Sequence, residues 1–154
     1  MRTAGEIVLD APRAALWDAM ADPVALGAAL PGVDEVEVDE RDGSVGVRAR
    51  PSTGLGVTPF ALRLWVRERR EREHVTIDGK GRGGESAVTF TVTLDVRDAG
   101  ASGRAGAATA VAWTAQAVVL GVLGSLGQRV LPAVVAGQIE GVLRAAARPQ
   151  EGAL

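Results

Sequence analysis

Apolar side chains recur at steps of three and four residues along the last quarter of the chain, over residues 121–147. The set comprises Leu123, Leu126, Val130, Leu131, Val134, Val135, Ile139, Val142, Leu143 and Ala146. This spacing places them on one broad face of a single helix. Pro132 lies inside the pattern and predicts a bend near Gln128 rather than an end, because the periodicity resumes at once. A helix this long and this apolar needs a large concave partner.

The preceding residues supply that partner as a series of strands in which apolar and polar residues alternate. One strand is predicted at residues 5–9, and two short helices follow at residues 13–20 and 24–30. Six further alternating segments lie between residues 35 and 117. A sheet with one dry face must cover that face. The sequence therefore predicts an α+β fold, in which a curved antiparallel sheet of six to seven strands surrounds the long C-terminal helix.

The length of 154 residues fits one domain with a substantial core. We expect this domain to span residues 1–148 and residues 149–154 to form a short flexible tail. The N-terminus carries Glu6 and has no apolar core of signal-peptide length. The longest apolar run, at residues 117–126, is too short to span a bilayer. These features predict a soluble, cytoplasmic protein and leave open a peripheral contact with the inner face of the membrane.

The composition excludes several classes of chemistry. Cysteine is absent, which excludes disulfides, thiolate catalysis and thiolate metal sites. The net charge of −2 gives no global attraction for nucleic acid. The inward positions of the predicted strands carry hardly a polar atom and no charge, whereas acid–base or nucleophilic catalysis needs titratable groups beside the substrate. We therefore predict no catalytic residue and no metal site.

Two motifs that could carry chemistry have plainer interpretations. His74 is the only histidine and lies beside the charged run 67–73 at a predicted hairpin tip, where a solvent-exposed surface residue is favoured over a general base. One histidine without cysteine cannot close a zinc site by itself. The glycine-rich segment 79–84 lacks the spacing and the strand-to-helix context of a phosphate loop, so it predicts a strand end and a turn.

The interior of the predicted sheet can be a filled core or a cavity, and the residues alone favour neither. Small residues at Gly79, Gly81, Ala115 and Ala117 leave space that larger side chains would fill. A void of about 300 Å³, at the low end for ligand pockets, would cost roughly 7 kcal/mol at about 24 cal/mol per Å³. Because whole domains are stable by only about 5–15 kcal/mol, such a space is expected to hold a lipid-like ligand or to collapse in part.

Residues 5–37 contain a distinctive combination of motifs, namely Ala11-Pro12, Trp17, Asp22-Pro23 and Leu30-Pro31-Gly32. This segment resembles the opening of the CoxG-like family, named after the CoxG subunit of carbon monoxide dehydrogenase. Gly79-Lys80-Gly81 is similar to the family's small-residue strand, and residues 109–131 are similar to its last strand and the start of its terminal helix, although both are less specific. Leu30 stands where the family usually has a cysteine.

The resemblance implies a helix-grip fold of the START/polyketide-cyclase (SRPBCC) superfamily. It also implies service to a molybdenum-containing CO dehydrogenase or a related hydroxylase. The implied ligand is a menaquinone-like isoprenoid quinone or a lipid, which is carried between membrane and enzyme as cargo and is not a cofactor.

The resemblance and the inward pattern together predict the wall of a ligand cavity. Ser125 and Gln128 are the candidates for a hydrogen bond to the ligand's head group. Residues 121–127 and 51–59 are predicted to be mobile rims. The predicted wall residues are Trp17, Leu26, Phe60, Leu62, Phe90, Trp113, Leu123, Leu126, Val130 and Val134.

Three functions compete at this point. The first is a non-enzymatic carrier of a hydrophobic quinone or lipid. The second is an enzyme of the polyketide cyclase or aromatase kind, which would need a polar residue projecting into the cavity. The third is an assembly factor for the hydroxylase, with a packed interior and a contact surface around Trp65, because exposed tryptophan is common at interfaces.

Overall fold

The residues that the structure describes form seven strands and three helices. The structure is a computed structural model, and it describes residues 1–30, 32–50, 59–100, 108–121 and 130–148. The elements in chain order are β1 (Arg2–Leu9), α1 (Arg13–Met20), α2 (Pro23–Ala29), β2 (Val33–Val38), β3 (Val45–Ala49), β4 (Phe60–Arg70), β5 (His74–Gly83), β6 (Ser86–Asp98), β7 (Thr109–Leu120) and α3 (Leu131–Ala147).

All seven strands belong to one antiparallel sheet with the order β1-β7-β6-β5-β4-β3-β2. The first strand of the chain therefore pairs with the last one, and β1 and β2 are the two edges. The α+β fold with a C-terminal helix and two short helices after the first strand is confirmed.

The alternation of apolar and polar residues decides which side of each strand faces the helices. The inward residues of β7 are buried, and those of β6 lie opposite them in register, for example Leu94 beside Trp113 and Phe90 beside Ala117. The outward threonines of β6 bind neighbouring strands instead: the Thr91 hydroxyl donates to Asp78 Oδ1 at 2.7 Å. The predicted inward and outward faces of these strands are confirmed.

The two short helices follow turn signals in the sequence. Asp22 caps α2, because its Oδ1 accepts a hydrogen bond from the backbone N–H of Val24 at 2.9 Å. Pro12 occupies the N-cap position of α1, directly before the first helical residue Arg13. Helix α1 buries Leu16, Trp17 and Met20, and α2 buries Leu26.

Helix α3 begins at Leu131, ten residues later than the apolar periodicity predicts. Gly121 has a φ of 84°, a left-handed conformation that suits glycine and ends β7 rather than starting a helix. Pro132 lies in the first turn of α3, where its missing N–H would have no helical partner in any case. The bend itself was predicted near Gln128, which no described residue tests. Residues 122–129 lie outside the described part of the chain.

The core divides into a packed part and an open part. The packed part includes Trp17 and Trp113. Its least exposed members, at 0–2%, are Leu16, Trp17, Met20, Val75, Val111 and Trp113. The buried Thr109 hydroxyl donates to the carbonyl of Ala11 at 2.7 Å and ties β7 to the start of α1. Farther along the same sheet, Leu62, Phe90 and Val92 are only partly buried. At that end, α3 does not pack fully against the inner face of the sheet.

Two glycine substitutions are expected to change stability in opposite directions. Gly137 is exposed in α3, and a Cβ added there meets nothing within 4 Å. Gly137→Ala should therefore raise the free energy of unfolding by about 0.5–1 kcal/mol, because alanine loses less backbone entropy in a helix.

A Cβ at Gly5 would lie 2.7 Å from Cζ2 of Trp113. Gly5→Ala should lower the free energy of unfolding by about 1–3 kcal/mol through overpacking. Urea unfolding followed by tryptophan fluorescence measures both, and a stabilised Gly5→Ala would contradict the described packing of Trp113.

Candidate functional site

A cavity of about 300 Å³ lies between α3 and the inner face of the sheet. Helix α2 lines one side of it, and α3 covers it. Of the 21 described residues that line it, twenty have hydrocarbon side chains. The lining residues are Leu26 and Leu30 from α2 and its C-cap, Ala49, Phe60, Leu62, Leu64, Ile77, Val88, Phe90, Val92, Leu94, Ala115, Ala117 and Val119 from the sheet, and Leu131, Val134, Val135, Gln138, Ile139, Val142 and Leu143 from α3.

The glycines of β5 determine how closely the side chains of neighbouring strands approach the β5 backbone on the cavity side of the sheet. Gly79, Gly81 and Gly83 occupy successive inward positions of β5. A Cβ at Gly79 would overlap the ring of Phe90, and a Cβ at Gly81 would overlap Leu62. At Gly83 a Cβ would lie 2.8 Å from the Phe60 ring. The large side chains of the neighbouring strands therefore lie flat across β5.

This arrangement corrects the sequence interpretation of the small residues. The space directly above Gly79 and Gly81 is not vacant, because Phe90 and Leu62 occupy it. The glycines instead allow Phe90 and Leu62 to pack flat against the β5 backbone, and the cavity lies between these side chains and α3. Ala115 and Ala117 line it directly from β7.

Helix α3 contributes one polar side chain to this lining. Gln138 lies four residues after Val134 and three after Val135, so it continues the apolar stripe of the helix. It is half-buried. Sequence analysis missed this residue, although its spacing from Val134 and Leu131 was a usable signal. The prediction that hardly a polar atom faces inward concerned the strands, whereas Gln138 lies on α3.

The sequence-predicted wall residues fall into three groups. Leu26, Phe60, Leu62, Phe90 and Val134 lie on the cavity. Trp17 and Trp113 lie instead in the packed part of the core, and Val130, which precedes α3, is 42% exposed. The remaining candidates lie outside the described residues: Leu123, Leu126, Ser125 and Gln128.

Trp17 and Trp113 stabilise the core through packing rather than through hydrogen bonds of their indole nitrogens. The Nε1 atoms of Trp17 and Trp113 are buried and have no hydrogen-bond partner within the described part of the chain. Trp113 packs against the bare backbone of Gly5, and the guanidinium carbon of Arg69 lies 5.7 Å from the centre of the Trp17 ring. The inward pattern and the resemblance predicted Trp17 and Trp113 as wall residues, but both side chains are enclosed by core packing instead.

His74 is more covered than the sequence predicts. Its side chain is 15% exposed, its Nδ1 lies 2.6 Å from Asp95 Oδ1, and its Nε2 lies 2.9 Å from Thr76 Oγ1. An aspartate, a histidine and a hydroxyl in this order are also found in nucleophilic catalysis. Here, however, His74 and Thr76 alternate with the inward Val75 and Ile77, so they lie on the sheet face away from the cavity, and Thr76 is 6% exposed. The three groups tie β5 to β6.

A second, more open cleft of about 370 Å³ lies at the sheet end where Ala49 and Phe60 lie. Arg48, Arg50 and Arg82 line it together with Asp34. Arg50 Nε lies 3.1 Å from Asp34 Oδ2, and Arg48 Nε lies 4.0 Å from Glu35 Oε2. Ala49 and Phe60 belong to both spaces, so the apolar cavity and the arginine cleft are neighbours.

The described residues offer little for metal or membrane chemistry. Within them, no group of three or more His, Asp or Glu side chains is placed to hold a metal ion. Nor is any helix among those residues both long enough and apolar enough to cross a membrane.

Solved structures with the same fold extend over almost the whole chain. A conserved protein from Geobacillus kaustophilus has a TM-score of 0.82 and 19% identity, covering 96% of this chain and 93% of that one. A START superfamily protein from Mycobacterium smegmatis has a TM-score of 0.64 and 9% identity, with 95% and 94% covered. The ZhuI aromatase/cyclase from Streptomyces sp. R1128 has a TM-score of 0.63 and 15% identity, with 96% and 91% covered. These likenesses establish the START-type fold.

Sequence comparison leads to one family. None of the curated proteins matches this chain. A family model matches residues 5–147, which include every strand and helix described above except the first three residues of β1. The chain belongs to the CoxG family, the family of the CoxG subunit of carbon monoxide dehydrogenase.

Proposed function

We propose that this protein holds a hydrophobic ligand, a menaquinone-like isoprenoid quinone or a lipid, in the cavity under α3 and delivers it to a molybdenum CO dehydrogenase-type hydroxylase. The family and the fold indicate a ligand-binding or accessory role. The observation that carries the proposal is the lining of the cavity, in which all but one of the described residues have hydrocarbon side chains.

The physical chemistry of the cavity favours an apolar ligand. Burial of apolar surface contributes about 25 cal/mol per Å². A ligand that buries about 250 Å² would gain roughly 6 kcal/mol before its loss of free motion is subtracted. The same lining excludes charged ligands, because the described cavity offers no charged side chain to replace the lost hydration.

The size of the cavity limits how much of a long ligand it can enclose. Its volume of about 300 Å³ lies at the low end of the range for ligand pockets. This volume suits a fused-ring head group with a short length of chain. The rest of a long isoprenoid tail would have to leave through the open end of the cavity.

An enzyme of the cyclase kind is the main alternative, and a structural neighbour with that activity favours it. Acid–base catalysis needs a titratable group within hydrogen-bond reach of the substrate. The described lining contains none, and the Gln138 amide does not titrate near neutral pH. The proposal therefore keeps binding and omits catalysis.

An assembly factor with a packed interior is the second alternative. The cavity under α3 is inconsistent with a fully packed interior. Trp65, the suggested contact residue, is half-buried on the outer face, and Lys80 Nζ lies 5.6 Å from the centre of its ring. Such a covered ring is less available to a partner than an exposed one.

We also propose a peripheral membrane contact at one corner of the sheet's outer face. Val118 and Leu120 are 61% and 62% exposed there, which is high for large aliphatic side chains. In register, Thr89 lies between Val118 and Lys80, and Ala87 lies between Leu120 and Arg82. Exposed aliphatic groups beside cations suit the surface of an anionic bilayer.

Filling the cavity should weaken ligand binding without unfolding the protein. Ala117→Leu adds volume opposite Phe90 inside the cavity. We expect at least tenfold weaker binding of 2-methyl-1,4-naphthoquinone, measured by calorimetry, and an unchanged or higher free energy of unfolding, because the new side chain fills apolar space. Ala61→Leu, at an exposed position of β4, is the matched control and should bind like the wild type. Equal binding by both variants would contradict the assignment of the cavity.

The membrane contact makes a separate prediction. Val118→Glu should reduce sedimentation with vesicles of phosphatidylcholine and phosphatidylglycerol several-fold, since a carboxylate repels an anionic surface and does not partition into it. Val8→Glu is the matched control, because Val8 is 57% exposed on β1, the strand on the other side of β7. Equal loss in both variants, or binding by neither variant nor the wild type, would contradict this surface.

A further inference from the structure

Gln138 occupies a position where the pattern of α3 calls for an apolar residue. Its neighbours on the same stripe are Val134, Val135 and Val142, all of which line the cavity. Among the residues that the structure describes, none forms a hydrogen bond with the Gln138 amide. The amide nitrogen and oxygen are not among the fully buried side-chain atoms that lack a partner, so they stay accessible and can bond a ligand atom that enters the cavity. Departures from the local pattern of this kind are expected at functional positions.

We propose that Gln138 is the polar anchor of the cavity and forms a hydrogen bond with an oxygen atom of the ligand's head group. This inference rests on the proposed function, because it needs a ligand in the cavity. It adds the chemical class of that ligand: an apolar molecule that carries a neutral carbonyl or hydroxyl group.

The amide group accommodates both forms of such a head group. Nε2 donates hydrogen bonds and suits a carbonyl oxygen, whereas Oε1 accepts and suits a hydroxyl group. A rotation of the amide exchanges the two atoms. One residue can therefore bind an oxidised quinone and the corresponding reduced quinol, as a carrier that serves a redox enzyme requires.

The same site discriminates against anionic amphiphiles. The described lining holds no lysine, arginine or histidine to compensate a carboxylate or phosphate group. A single neutral amide does not replace the hydration of an anion. Fatty acids and phosphate esters of similar size should therefore bind much more weakly than neutral ketones or alcohols.

The test compares two probes that share a fused-ring skeleton. The quinone 2-methyl-1,4-naphthoquinone has two carbonyl oxygens, whereas 2-methylnaphthalene has none. The chain contains no cysteine, so the quinone cannot form a thiol adduct. Each probe is titrated by calorimetry into the wild type and into Gln138→Leu, with Gln138→Met as a second variant of similar volume.

The inference predicts about tenfold weaker quinone binding in both variants, as for the loss of one hydrogen bond in a dry site, and unchanged or tighter binding of 2-methylnaphthalene. An unchanged quinone affinity, or an equal loss for both probes, would overturn it while leaving the cavity as a binding site. If the wild type binds neither probe, the proposed function itself fails, and the inference fails with it.

The stability of the variants separates a ligand-binding role from a structural one. Replacing an unpaired amide with a hydrocarbon group should leave the urea midpoint of the ligand-free protein unchanged or raise it. A lowered midpoint in both Gln138→Leu and Gln138→Met would mean that the amide supports the fold, and it would overturn the inference.

Discussion

The structure depends on the contact between the apolar stripe of α3 and the inner face of the sheet. This contact is complete at only one end. Val142 and Leu143 also line the cavity but are buried, whereas Leu131, Val134 and Val135 are only half-buried. The cavity is the space that remains where the helix and the sheet diverge. Stability and binding are thereby assigned to different ends of one core, so that a ligand can enter without disturbing the packed part.

The glycines of β5, which have no side chain, set the depth of that space. Because Gly79 and Gly81 have no Cβ, Phe90 and Leu62 can lie across the strand. A larger residue at either position would lift its neighbour into the cavity. The backbone of one central strand thus controls the volume available to a ligand, and the wall residues control its polarity. Gln138 is the exception in that wall, and it gives an otherwise uniform surface a point of chemical recognition.

Sequence patterns predicted the parts of this fold that depend on periodicity. Alternation located the inward faces of β5, β6 and β7, because one side of each strand is buried. The start of α3 was predicted at Gly121, where the apolar spacing of three and four begins, but Gly121 has a left-handed φ of 84° and α3 starts at Leu131. His74 was predicted to be exposed because local charge says nothing about Asp95, which lies opposite it only after folding. Five of the wall residues lie on the cavity, whereas the tryptophans do not, because pattern alone cannot separate a packed core from a cavity wall.

The central proposal is that the cavity under α3 holds an apolar, oxygen-bearing molecule and that the protein delivers this molecule to a CO dehydrogenase-type hydroxylase. The most direct measurement is mass spectrometry of an organic extract of the protein, purified without detergent from cells that contain isoprenoid quinones. The account predicts a neutral quinone or lipid in near-stoichiometric amount, and its loss when Ala117→Leu fills the cavity. An extract without any apolar molecule, from a protein that also takes up no added quinone, would contradict the account.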